Sequence, residues 1–276
     1  MTTHSISPAI KSRGLPRVAG FYAITFALAI LVRLLIPWVG HAALPLTMMT
    51  PAISTAIMLG IVAKEAGPRE TLRSLGLTRL GIKGWPLAIF APMAIMSAGL
   101  IALWASGLTG IASVHPGPAL VLDLGVSLIV SSLFALGEEV GWRGYMLPRL
   151  LQIGPIAAML VTGFLQSLWH LPIMMTTDLY HPGANLWIAV PLFVITITLA
   201  GVFFGALRMK TGSVWPAAIA HGAVNIGWEL SFQLTETRTQ LTTEYLGGES
   251  GLFMIAGLAV MAILVARHAN WLRPKD

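Results

Sequence analysis

The chain of 276 residues contains no cysteine, which excludes disulfides, thiolate-bound metal and a cysteine nucleophile. Any nucleophile must be a water or a hydroxyl. Charge is also scarce: Asp, Glu, Lys and Arg make up 10% of the residues, against roughly 25% in an average soluble domain. With 56% hydrophobic residues and a mean hydropathy of +0.79, this is the composition of a polytopic membrane protein. Internal repeats are lacking too, as is any polar stretch long enough for a second, soluble domain. One all-α membrane domain is expected, because only helices or closed barrels satisfy backbone polar groups in lipid, and the apolar runs are too long for barrel strands.

About eight runs approach the length needed to cross a hydrocarbon core about 30 Å thick: 18–39, 44–63, 85–104, 120–147, 155–175, 186–207, 214–232 and a short one at 252–266. Residues 1–17 are polar, basic and interrupted by Pro8 and Pro16, so they read as a cytoplasmic tail, with 18–276 as a single transmembrane domain. The first run is too long for a signal-peptide core and reads as a span. A formal charge of +6 and a pI near 10.1 could suit nucleic acid, but the order of the basic residues along the chain points to topology. With the amino terminus inside, 15 of the 17 Lys and Arg fall on the inner face and only Arg33 and Arg238 outside. The positive-inside rule then predicts a multi-pass cell-membrane protein with both termini cytoplasmic. The lipid bilayer is its expected partner, and nucleic acid is not. Within the inner segment from Lys64 to Lys83, five basic residues alternate with Glu65 and Glu70, which suits a surface helix on anionic headgroups or a solvated loop.

Against this background, ionised groups inside an apolar run stand out, because each costs roughly 2.5–3.5 kcal/mol near the bilayer centre even on lenient scales. Glu138, Glu139 and Arg143 lie in the fourth run. Glu139 and Arg143, four apart with the acid first, share a helix face in the favourable order for an ion pair. Glu138 points about 100° away and is the freer carboxylate. Gly137, Gly141 and Gly144 thin one side of this helix for close packing. The fifth run supplies His170, and the seventh His221 and Asn225, again four apart. Each could be a polar contact between helices. Together, Glu138, His170, His221 and Asn225 come from three runs, and lipid exposure of all four would be costly, so an enclosed polar cavity is expected. A carboxylate, two imidazoles and an amide can activate water. Asp123, Asp178 and His181 fall near the outer ends of runs and receive no role.

The order Glu138-Glu139-x-x-x-Arg143, a His in the next run, then His221-x-x-x-Asn225 resembles the signature of the CPBP intramembrane proteases, which include the Ras-converting type of CAAX prenyl endopeptidase. The resemblance covers about 125–228, within a family-like core of about 120–232. It implies hydrolysis of a peptide bond in a membrane-associated or lipidated protein or peptide. In that reading Glu138 and His170 hold and deprotonate water, His221 and Asn225 stabilise the oxyanion, and Glu139 with Arg143 forms an orienting ion pair. The chain departs from the family at Gln166, four positions before His170, where an aromatic residue is usual; Phe164 and Trp169 are candidates to take over its packing. Two His and a Glu could hold zinc with an open fourth position, but neither His belongs to a His-Glu-x-x-His helix, so a metal-free carboxylate mechanism is favoured. A cavity opening toward the cytoplasm is expected. The other readings are a non-catalytic adaptor or bacteriocin-immunity-type protein, separable by substituting Glu138 or His221, and a proton-coupled transporter, which the lack of inverted repeats disfavours.

Overall fold

The computed structural model describes residues 14–62, 67–113, 117–178, 181 and 183–268. Most of the expected tail, Lys64 and Glu65 lie outside them. Helix α1 (Gly14–Val39) turns at Gly40, whose φ of 53° suits glycine, through a short 3₁₀ turn into α2 (Ala43–Ile57) and a π turn. After α3 (Pro68–Ser74) come α4 (Trp85–Ala105) and α5 (Pro118–Glu139). The chain continues from α5 as a π-helical segment, Val140–Met146, and a single α-helical turn, α6 (Leu147–Leu150). Helices α7 (Pro155–Thr176), α8 (Leu186–Thr211), α9 (Trp215–Gln233) and α10 (Leu252–Arg267) complete the bundle. Among the described residues no extended strand occurs, only an isolated bridge between Ile111 and Thr235.

Within the described residues, the eight expected runs each fold as helix. Among the described residues, five continuous helical stretches are long and apolar enough to cross a membrane, the first taking in α1 and α2 together. Helix α9 is not among them because His221, Asn225 and Glu229 dilute its apolar character, and α10 has only 16 residues. The first helix starts at Gly14, so Leu15, Pro16 and Arg17, expected in the tail, are helical. On α5, Val121, Leu122, Val126, Ile129 and Leu133 are exposed, as suits a surface whose solvent is lipid.

Glycine sets the spacing of the helices that carry the polar residues. A Cβ on Gly222 of α9 would lie 2.7 Å from the backbone nitrogen of Ser132 on α5, and one on Gly201 of α8 would lie 2.7 Å from Gly163 Cα on α7. The bundle has two distinct ends. At one, Arg208 donates to the Ser74 carbonyl, Val214 N–H to Gly76 and Ser213 to Arg79, which fastens the loop after α3 across the bundle. At the other, Glu236 N–H binds the Gly110 carbonyl, and the loop after α7 meets the one before α10 through His181 and Glu244.

Candidate active site

The site begins where α5 stops being an α-helix. Glu138 and Glu139 are its last residues, and the wider π turns that follow carry Arg143; such π segments are frequent at functional sites. Gly141 permits the segment to lie against Pro51 and Phe21, where a Cβ would come within 2.4 Å and 3.0 Å of them. All three charged groups are withdrawn from solvent, with 1% exposure for Glu138 and none for Glu139 or Arg143. At such depth, charges must compensate one another or leave large penalties.

They do so through a network across three helices. Arg143 Nη1 donates to Glu139 Oε1 at 2.9 Å and to Gln166 Oε1 at 2.6 Å. The Gln166 amide nitrogen donates to Glu138 Oε2 at 2.9 Å. Nδ1 of His221, on α9, lies 3.0 Å from Glu139 Oε1. Glu139 is therefore held by both Arg143 and His221, while the hydrogen bond on Glu138 comes from a neutral amide. The division into an ion-paired and a freer carboxylate, expected from spacing alone, appears in these contacts. Asn225 donates from Nδ2 to Ser131 Oγ on α5 at 3.3 Å.

The two imidazoles have defined proton positions. His170 Nδ1 lies 3.0 Å from the Gln166 carbonyl, which can only accept, so Nδ1 carries the proton, and Nε2 has the lone pair when the ring is neutral. His221 Nδ1 faces a carboxylate and is likewise protonated. Its ring stacks on Phe204 at 5.7 Å and 17°, and Arg143 sits 5.1 Å from the same ring centroid. His170 is braced edge-on by Trp169 at 4.4 Å and Phe193 at 5.1 Å.

Glu138, His170, His221 and Asn225 all line one cavity of about 310 Å³, together with Gln166. Counted from the first residues of their helices, His221 and Gln166 stand about 9 Å and 16 Å along the axes, yet both touch the Glu138–Glu139 layer. The spans therefore do not begin at a common depth. His170 stands one turn beyond Gln166. The lining continues from there to His181, Glu229 and Glu249, at the end of the bundle away from the loop after α3. An opening toward the basic end, expected from sequence, is not what this lining describes. Beneath the Glu138–Glu139 layer, Trp142, Arg143, Tyr145 and Met146 are fully buried.

A catalytic zinc site takes three protein ligands, and among the described residues no three of His, Asp and Glu gather into a metal-holding group. The residues present do not fit that metal, and no step is routed through one. What sequence reasoning undervalued is Gln166, seen there only as a departure from a pattern. It bridges Glu138 and Arg143, and its carbonyl orients His170. A long polar side chain in an apolar run was the available signal.

Residues 119–227 match the family model described as Rce1-like, type II CAAX prenyl endopeptidase. That stretch takes in Glu138, Glu139, Arg143, His170, His221 and Asn225. No curated protein matches the chain.

Proposed function

Because the Rce1-like segment at residues 119–227 supports a place in the CPBP family of CAAX proteases, we propose that this multi-pass membrane protein is an intramembrane endopeptidase using water activated by Glu138 and His170. The substrate is a membrane-associated or lipidated protein or peptide. The observation that carries the reading is the shared cavity: the candidate base, both imidazoles and the amide line one space. In it, Glu138 and His170 Nε2 accept the two hydrogens of a water, which turns the water's lone pair toward the scissile carbonyl. As the water attacks, Glu138 takes one proton and the carbonyl oxygen becomes an oxyanion. Collapse breaks the C–N bond, and the proton held by Glu138 passes to the leaving nitrogen, giving a carboxylic acid and an amine.

Asn225 and His221 are the oxyanion donors. For His221 this requires both ring protons, since Nδ1–H is committed to Glu139 and only Nε2–H can reach the substrate. A doubly protonated His221 and Arg143 together balance Glu138 and Glu139, so the buried group as a whole is neutral. That balance favours the assignment in a medium that penalises net charge.

Glu138→Gln keeps the shape of the side chain and removes its basicity, and general-base removal costs about 10²–10⁴ in rate. Comparing peptide termini in the membrane proteome of cells carrying wild type or this variant should show cleavage products that only the wild type makes. Retained cleavage by Glu138→Gln would rule Glu138 out as the base.

A further inference from the structure

We infer that the chamber is entered from the non-cytoplasmic side of the membrane, so that its substrate is a peptide segment anchored in or presented at the outer surface. This rests on the peptidase reading for the word substrate, but the direction of entry stands on geometry and charge alone.

The basic end is sealed. Below the Glu138–Glu139 layer, Trp142, Arg143, Tyr145, Met146 and Leu147 are at most 1% exposed, and Gly144 between them is buried. Across them lies the loop after α3. A Cβ on Gly144 would meet the Leu75 carbonyl at 3.1 Å, and Arg208 ties the Arg143 carbonyl to that of Ser74 with bonds of 3.2 Å and 2.9 Å. From the same layer the cavity extends the other way, past Asn225 and Trp228 to Glu229, which is exposed beside the buried His181 and Glu249 of the same lining. His221 and Glu229 are eight residues apart on α9, so the reacting carbonyl must travel about 12 Å inward from the mouth.

The distribution of basic residues says which end is which. Twelve Lys and Arg are described; leaving aside the buried Arg143, nine lie at the sealed end, from Arg17 at the start of α1 to Arg267 at the close of α10, and two, Arg33 and Arg238, at the mouth. Such a bias fixes the basic end in the cytoplasm. A cytoplasmic protein's lipidated tail would then meet the plug formed by the loop after α3, whereas a peptide at the outer surface reaches the cavity lining where Glu229 is exposed.

The absence of cysteine makes the full chain a clean background for thiol labelling. Three variants suffice: Glu229→Cys at the mouth, Val224→Cys inside the cavity and Lys83→Cys at the sealed end. Each is treated with a small charged methanethiosulfonate reagent in intact cells and again after permeabilisation. The expected result is equal labelling of Glu229→Cys and Val224→Cys before and after permeabilisation, with Lys83→Cys reacting only after it. Reaction of Lys83→Cys in intact cells would mean the reverse orientation and overturn the inference. So would a Val224→Cys that reacts only once the membrane is breached, or not at all. Repeating the labelling in the Glu138→Gln background separates this inference from the peptidase reading, since the pattern of access needs no turnover.

Discussion

Gln166 holds both halves of the charged layer, donating one amide N–H to Glu138 and accepting from Arg143 through its oxygen. Replacing it by Leu leaves a buried carboxylate oxygen and a buried guanidinium without that partner, at about 1–3 kcal/mol. Gln166→Leu should therefore melt lower in detergent. In the peptidase reading it should also turn over roughly 10²-fold more slowly, the scale of loss when a reacting group is misplaced. A purely structural Gln166 would lower the melting temperature and leave the rate per folded molecule unchanged, so both are measured on the same sample. Arg143 is the harsher case. Removing one partner of a buried pair costs about 3–5 kcal/mol, and Arg143→Met leaves the fully buried Glu139 with His221 as its remaining charged partner. Adding Glu139→Gln should recover part of that loss, which folded yield from membranes would report.

At the scale of helices, the site depends on glycines that let backbones touch. A Cβ on Gly201 would lie 2.7 Å from Gly163 Cα and 2.8 Å from the Met159 carbonyl, backbone atoms that cannot turn aside. Gly201→Ala should cost about 1–3 kcal/mol by overpacking and, because α7 carries Gln166 and His170, should lower activity with stability. Gly125→Ala on α5 meets nothing within 4 Å and serves as the neutral control in the same melting assay. Helices were the most legible feature of the sequence, since apolar runs mark them directly: the run expected from 155 is α7, beginning at Pro155. The π segment was not legible, because a pattern read at 3.6 residues per turn cannot show where turns widen. Nor was the role of Gln166, whose partners stand 23 and 28 residues away on another element. Glu139 and Arg143 were legible because their contact is local.

The direction of the cavity belongs to the whole molecule, because it is set by which loops cover which end, and nothing in any one helix encodes that. The loops at the mouth carry a further device. His181, absent from the sequence-derived site, binds Glu244 through Nδ1 at 2.6 Å, and nearby Tyr245 accepts from the Asn185 N–H at 3.0 Å. Burial works against the charged imidazole, but the hydrogen bond to Glu244 and the charges of Glu249 and Glu244 outweigh it, so the His181 pKa lies above its ordinary value. A pKa raised by folding stabilises the folded form fully below the unfolded value, about 6.5, and that contribution fades as pH rises through the folded value. The contact between the loop after α7 and the loop before α10 should therefore be tightest in mild acid and loosen above neutrality. Amide exchange across 239–250 should show it, with protection in the wild type falling as pH rises once the intrinsic pH dependence of exchange is removed. His181→Gln keeps a hydrogen-bonding side chain without the titration, so its corrected protection should be flat across the same range. An equal fall in that variant would assign the effect to another group.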